Sequence, residues 1–233
     1  MRKLIGLALL ISALGVFAQN QNSGALAGAL QESYDAEKDK DYAAAIAPLN
    51  KLGPDANTSY LVQLRLGWLY YESKDWTQSD AHYRKAVQLS PTANEPLLGL
   101  MLPQMAAGKN DEALMTAQII ARQDPGNYTA LSRMAWIYFL RRDYRSAAAN
   151  YHKLVALYPT DTEMLLGLGF SLKYSGETKE AAKYFQTVLL LSPNNSRALE
   201  GLKTETANAG GPPRGPGRMM QEPEQVPGHR PTH

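Results

Sequence analysis

Pro91, Pro125, Pro159 and Pro193 are evenly spaced, the same interval recurring three times in succession. The chain has 14 prolines in 233 residues, so three such hits arise by chance only about 2 times in 10,000. The same period recurs in other residue types. Five residues before each proline stands an apolar or small residue: Ala86, Ile120, Leu154 and Val188. Eight before stand Tyr83, Ala117, Tyr151 and Phe185, and twelve before stand the small residues Ser79, Ala113, Ala147 and Ala181. In the first half of the unit, Leu66, Gly67 and Tyr70 return as Met134, Ala135 and Tyr138, then as Leu168, Gly169 and Leu172, at helical spacing. Short polar stretches, "SKDW", "AGKN", "RRDY" and "SGET", separate the halves, as in turns that join paired helices. Proline cannot continue a helix, so each one stops the second helix of its unit. The pattern predicts an all-α solenoid of repeated helical hairpins.

On these residues the chain resembles the tetratricopeptide repeat (TPR) family, whose unit is a 34-residue helical hairpin. The interval between the periodic prolines equals that unit. The resemblance implies a right-handed α-solenoid of about five hairpins, at 26–59, 60–93, 94–127, 128–161 and 162–195, with a capping helix at 196–206. The first copy is degenerate: Pro54 falls three residues early and Asn57 holds the proline position. The third copy is also unusual, with Met101 at the small position and Pro103 inside the first helix, where its ring removes the bond to the Gly99 carbonyl. A kink is expected there. In the capping helix Lys203 replaces a small packing residue, as suits an end that faces water.

The ends of the chain read differently. Arg2 and Lys3 precede the apolar run Leu4–Phe17 and the small residues before Gln19, so 1–18 is expected to be a secretory signal peptide cleaved after Ala18. Residues 19–25 form a linker. The expectation is export to the periplasm or the extracellular space. Without Arg2 and Lys3 the net charge falls from +2 to 0, which argues against nucleic acid as a partner. The segment 207–233 is rich in Pro and Gly and is expected to be a disordered tail.

The chain has no Cys and 4 His. His82 and His152 lie two units apart and are read as surface residues, and Pro231 separates His229 from His233, so no metal site is expected. "GGPPRGPG" lacks a following helix to present amide groups to a phosphate, and no cofactor is expected. Glu37, Glu95 and Glu163 are the carboxylates nearest the candidate groove, but they are one or two units apart. No catalytic set is visible, and the chain is read as a non-enzyme.

A second apolar stripe on the first helices is the candidate site. Leu64, Trp68 and Tyr71 occupy i, i+4 and i+7; Leu98, Leu102 and Met105 follow, then Trp136 and Phe139 beside the polar Ser132, then Leu166 and Phe170. One stripe suffices for packing a surface helix. In the resembled family the first helices line the concave surface, so Trp68, Tyr71, Leu102, Met105, Trp136, Phe139 and Phe170 are expected to floor a half-exposed groove for a protein or peptide. Family members that grip acidic C-terminal peptides place Lys, Asn and Arg across that surface; here only Arg133 fits. The leading function is therefore an exported interaction scaffold. Self-association through the same stripe is the second class and an enzyme of unseen mechanism the third.

Overall fold

The computed structural model describes residues 24–203, and among these every regular element is an α-helix. The expected signal peptide, tail and last residues of the cap, 204–206, lie outside the described residues. Five helix pairs follow one another: α1 (24–38) with α2 (Tyr42–Asn50), α4 (Tyr60–Glu72) with α5 (Trp76–Leu89), α6 (Asn94–Ala106) with α7 (Asn110–Gln123), α8 (Tyr128–Leu140) with α9 (Tyr144–Leu157), and α10 (Thr162–Ser175) with α11 (Thr178–Leu191). A short α3 (Pro54–Thr58) follows the first pair, and α12 (Ser196–Leu202) ends the series. Residues 24 and 25 are already helical, ahead of the expected 26, and α12 ends at Leu202. The fold is a TPR-type all-α solenoid.

The turns repeat with the sequence. Lys40, Lys74, Gly108, Arg142 and Gly176 hold the same place in successive units, and all have positive φ, from 58° to 95°. In each pair the next amide reaches back over the helix end: Asp41 to Ala36, Asp75 to Tyr70, Lys109 to Gln104, Asp143 to Tyr138 and Glu177 to Leu172, at 2.8–3.2 Å. This left-handed closure satisfies carbonyls that the helix end leaves unpaired. Asp41, Asp75 and Asp143 then cap the following helix, accepting from the amides of Ala44, Gln78 and Ser146.

At the other end, Ser90, Asp124, Tyr158 and Ser192 stand immediately before the four periodic prolines. Their backbones open to ψ between 70° and 89°, because the proline ring disfavours the helical region for the residue before it. Their amides still bond to the carbonyls of Ala86, Ile120, Leu154 and Val188, which are fully buried. The first copy departs from this pattern. Its second helix has only 9 residues and contains Pro48, and Pro54 starts α3 after Gly53 at φ 60°.

The chain divides into two compact units between Pro103 and Gln104. Pro103 lies inside α6, which runs as one helix from Asn94 to Ala106. In the first unit Leu49, Val62, Leu66 and Leu69 form one buried cluster and Leu64, Tyr83, Ala86 and Leu100 another. The second unit has a larger core that runs from Leu131 on α8 to Ala198 on α12.

Rings on the second helices key into glycines on two first helices. A Cβ at Gly67 would lie 2.9 Å from the Tyr83 ring, and one at Gly99 closer still. Phe185 stands in the same way against Gly169 (2.7 Å) and Gly201 (2.5 Å), and Tyr151 against Gly167 (2.6 Å). The small residue that receives Phe185 in the capping helix is thus Gly201. Lys203, at the repeat position of Gly67 and Gly169, is exposed at the end of α12.

Candidate partner-binding site

The stripe expected to floor a groove splits by burial. In the first unit Trp68 and Tyr71 are half-buried and their rings lie 5.9 Å apart, with Trp76 continuing the row 5.4 Å from Tyr71. Leu102, on α6, is buried at 6% exposure. In the second unit Met105 is half-buried, whereas Trp136 (8%), Phe139 (3%) and Phe170 (3%) are core. Trp136 stacks on Phe139 at 5.9 Å, and Phe139 meets Tyr144 at 5.4 Å and Tyr174 at 6.0 Å. Leu102, Trp136, Phe139 and Phe170 therefore do not stand half-exposed as expected. In the second unit the half-buried rings are Tyr144 and Tyr174, 5.2 Å apart.

Sequence reasoning missed Trp76, Tyr144 and Tyr174. The signal was present in part, since Trp76 and Tyr144 are equivalent positions two repeats apart, and each follows a capping Asp. Trp76 and Tyr144 each begin a second helix, outside the stripe traced on first helices, whereas Tyr174 extends that stripe on α10, four residues past Phe170.

The first unit also holds a buried charge that the sequence pattern did not flag. Arg65, 2% exposed, donates through Nε to Ser33 Oγ (3.1 Å), through Nη2 to the Ser33 carbonyl (3.1 Å) and through Nη1 to Glu37 Oε2 (2.5 Å). Its guanidinium lies 4.0 Å from the centre of the Tyr34 ring. Glu37 also accepts from Trp68 Nε1 at 2.6 Å. Nearby, Tyr42 donates to Glu72 (3.2 Å), whose carboxyl is held above its usual range mainly by burial. These bonds join α1 and α2 to α4, and those to Arg65 clothe a charge that would otherwise be costly inside the fold.

The other two carboxylates near the stripe are also bonded to neighbouring helices. Glu95 accepts from Tyr60 (3.0 Å), and Glu163 pairs with Arg197. Burial, and then the bond to Glu95, raises the Tyr60 pKa. His152 is exposed, but His82 is not the surface residue expected. It bonds through Nδ1 with Gln63 Oε1 (2.8 Å) and stacks on Tyr70 at 5.2 Å. Burial lowers its pKa to about 4. Among the described residues no group of His, Asp or Glu has the arrangement to hold a metal, and no helix is long and apolar enough to cross a membrane.

A tetratricopeptide repeat family model matches residues 61–93, 129–161 and 163–195. This is a tetratricopeptide repeat protein. The stretch between the first two matches is the copy that carries Met101 and Pro103. Solved structures give the same fold: a crystal structure of the MamA protein, with a TM-score of 0.67 and 17% identity, covering 75% of this chain and 96% of that one; and a tetratricopeptide repeat protein from Parabacteroides merdae, at 0.68 and 17%, covering 77% and 71%. At these identities the likeness speaks for fold. The CTR9 homolog of Arabidopsis thaliana is 28% identical over 178 residues, 74% of this TPR protein but only 16% of the relative. TPR folds generally serve as protein–protein interaction scaffolds, and such scaffolds are generally non-enzymatic.

Proposed function

We propose that this protein is an exported, non-enzymatic scaffold that binds a polypeptide on aromatic edges formed by its first helices and the starts of its second helices. The carrying observation is the pair of half-buried ring rows, Trp68–Tyr71–Trp76 in one unit and Tyr144–Tyr174 in the other. Rings of this kind present large apolar area with few rotatable bonds, which is why aromatic anchors dominate binding surfaces. Of the residues named from sequence, Trp68, Tyr71 and Met105 retain the exposure to touch a partner; Leu102, Trp136, Phe139 and Phe170 support them from below. The carboxylates that a catalytic reading would need are each engaged with a neighbouring helix. Export rests on the opening segment: Arg2, Lys3 and an apolar run too short to span a bilayer.

A photo-crosslinking side chain placed at Tyr71 or Tyr144, followed by mass spectrometry in the native host, tests the binding reading. A defined polypeptide crosslinked there, and not from Met115 on α7, is expected. Equal yields from both faces would remove it. Intact mass tests export, the mature chain beginning at Gln19.

Self-association is the second reading. Leu157, Leu190 and Leu191 near the ends of α9 and α11 are exposed, Leu190 at 84%, and concentration-dependent light scattering separates assembly through them from peptide capture.

A further inference from the structure

Within the second unit, α9 and α11 leave a cavity of about 280 Å³ between them, floored by Leu168 and Leu172 of α10. Two small residues on α9, Ala148 and Ala149, make the room. At that place the other second helices carry Ile46 and Ala47, Asp80 and Ala81, Leu114 and Met115, or Ala182 and Lys183, so α9 alone has alanine at both positions. Pockets for drug-sized ligands run to about 300–1,000 Å³. This one suits one or two side chains of a polypeptide.

Its two sides differ in charge. Glu177, Glu180 and Tyr184 line the α11 side, and Arg145 and His152 the α9 side. Asp41, Asp75 and Asp143, at the repeat position of Glu177, spend their carboxylates on capping the helix that follows. Glu177 makes no such cap bond and accepts from the Ser175 hydroxyl at 3.0 Å, which leaves most of its acceptor capacity to the cavity. Burial, and then Glu180, raises the Tyr184 pKa, as fits a phenol standing beside that carboxylate. An occupant must therefore bring a cation to one side, apolar matter to the floor and an anion to the other side. Residues 218–222 of this chain, "RMMQE", hold the three in that order. Arg218, Met220 and Glu222 alternate, and in an extended segment alternate side chains share a face. Pro223 favours an extended backbone at Glu222.

Reach is sufficient. Lys173 Nζ donates to the carbonyls of Gly201 (3.1 Å) and Lys203 (3.0 Å), so α12 ends beside α10, next to the residue that follows Leu172 of the floor. Arg218 comes sixteen residues after Leu202, a length of chain that spans up to about 50 Å, several times the roughly 10–12 Å diameter of a helix. We infer that residues 218–222 of the same chain dock in the cavity between α9 and α11, with Arg218 against Glu177 and Glu180, Met220 on Leu168 and Leu172, and Glu222 toward Arg145. Tethering sets the segment's concentration at the cavity near about 1 mM, so a shallow site with few contacts is still filled. Methionine suits such a floor because its unbranched side chain adapts to irregular gaps. This contact stands apart from the aromatic rows and does not depend on the polypeptide-binding reading.

The chain has no Cys, so Gln221→Cys carries a single nitroxide on the face of the segment turned from the cavity. In the full-length ¹⁵N-labelled protein, paramagnetic broadening should centre on the amides of Ala148, Ala149, Glu180 and Tyr184. Arg218→Glu should weaken docking about fivefold and relieve that broadening. Glu177→Gln/Glu180→Gln should do the same without a change in the tail. The proposal is overturned if the broadening is spread evenly over the second unit, if it centres on other residues, or if either variant leaves it unchanged. Spin-labelled ¹⁴N chain mixed with unlabelled ¹⁵N chain separates the chain's own tail from that of a second copy. Broadening of the cavity amides in the mixture would put a neighbour's tail there and overturn the intramolecular contact. A polypeptide crosslinked at Tyr71 or Tyr144 with no broadening at the cavity would leave the scaffold reading intact and remove this one.

Discussion

Truncating Phe139 to alanine removes a ring that is 3% exposed and stacked at 5.9 Å on Trp136. Tyr144 and Tyr174 meet it at 5.4 and 6.0 Å. Neither Trp136 nor Phe170 can swing into the space easily, because each is itself nearly buried. The site should therefore collapse poorly, and the cost should approach the upper part of the range of about 3–5 kcal/mol for Phe→Ala in a core. For a folded body of this size each kcal/mol corresponds to about 2–4 °C, so a midpoint lower by roughly 8–20 °C is expected. Leu190→Ala serves as the control: that side chain is 84% exposed, and its loss should change stability by no more than about 0.5 kcal/mol. Far-UV circular dichroism melts of the three proteins, under conditions where refolding is reversible, make the comparison. If Phe139→Ala shifts the midpoint no further than Leu190→Ala does, the ring is not part of the core and the burial argument fails.

The same substitution should have opposite signs at two glycines. A Cβ at Gly99 would press into the buried Tyr83 ring and should cost about 1–3 kcal/mol, whereas Gly28, with nothing within 4 Å, should gain about 0.5–1 kcal/mol from helix propensity on conversion to Ala; urea titrations of both variants read this out. Arg65→Ala should cost about 3 kcal/mol because Glu37 loses its cation, and Arg65→Ala/Glu37→Ala should cost less than the single change. His82 has a pKa of about 4 when folded against 6.5 when unfolded, so its contribution is complete above pH 6.5 and is lost as the pH falls toward 4. Between pH 7 and pH 5 the natural chain should lose about 1 kcal/mol more than His82→Gln, after allowance for the solvent that still reaches the ring.

The prolines made the fold legible because each one does a local job that needs no knowledge of tertiary structure. Each of the four periodic prolines stops a second helix, unlike Pro48 and Pro103, which lie inside α2 and α6, and even spacing turned those four stops into a solenoid. The turns were legible for a similar reason: Asp75 and Asp143 cap helices through their own backbone neighbourhood. The candidate site was less so. The Trp68 and Trp136 positions look alike in sequence, yet one ring is half-buried and bonded to Glu37 while the other is core. What separates them lies one repeat upstream, in Glu37 against Met105. The glycines that receive Tyr83, Tyr151 and Phe185 were hidden in the same way, because each ring packs against the helix that follows its hairpin as well as against the hairpin itself. Periodicity along the chain finds equivalent positions; it does not say which neighbouring repeat fills the space between them.

Partner capture and stability, measured together for Tyr71→Ala and Phe139→Ala, test the central claim most directly. Capture is scored on the polypeptide crosslinked from Tyr71 or Tyr144. The half-buried Tyr71 ring should contribute to binding and little to folding, so Tyr71→Ala should weaken capture by about 2 kcal/mol, roughly thirtyfold, with the thermal midpoint nearly unchanged. Phe139→Ala should lower the midpoint strongly. If Tyr71→Ala captures the partner as well as the natural chain does, the aromatic edge is not the binding surface, and the scaffold grips its partner elsewhere or not at all.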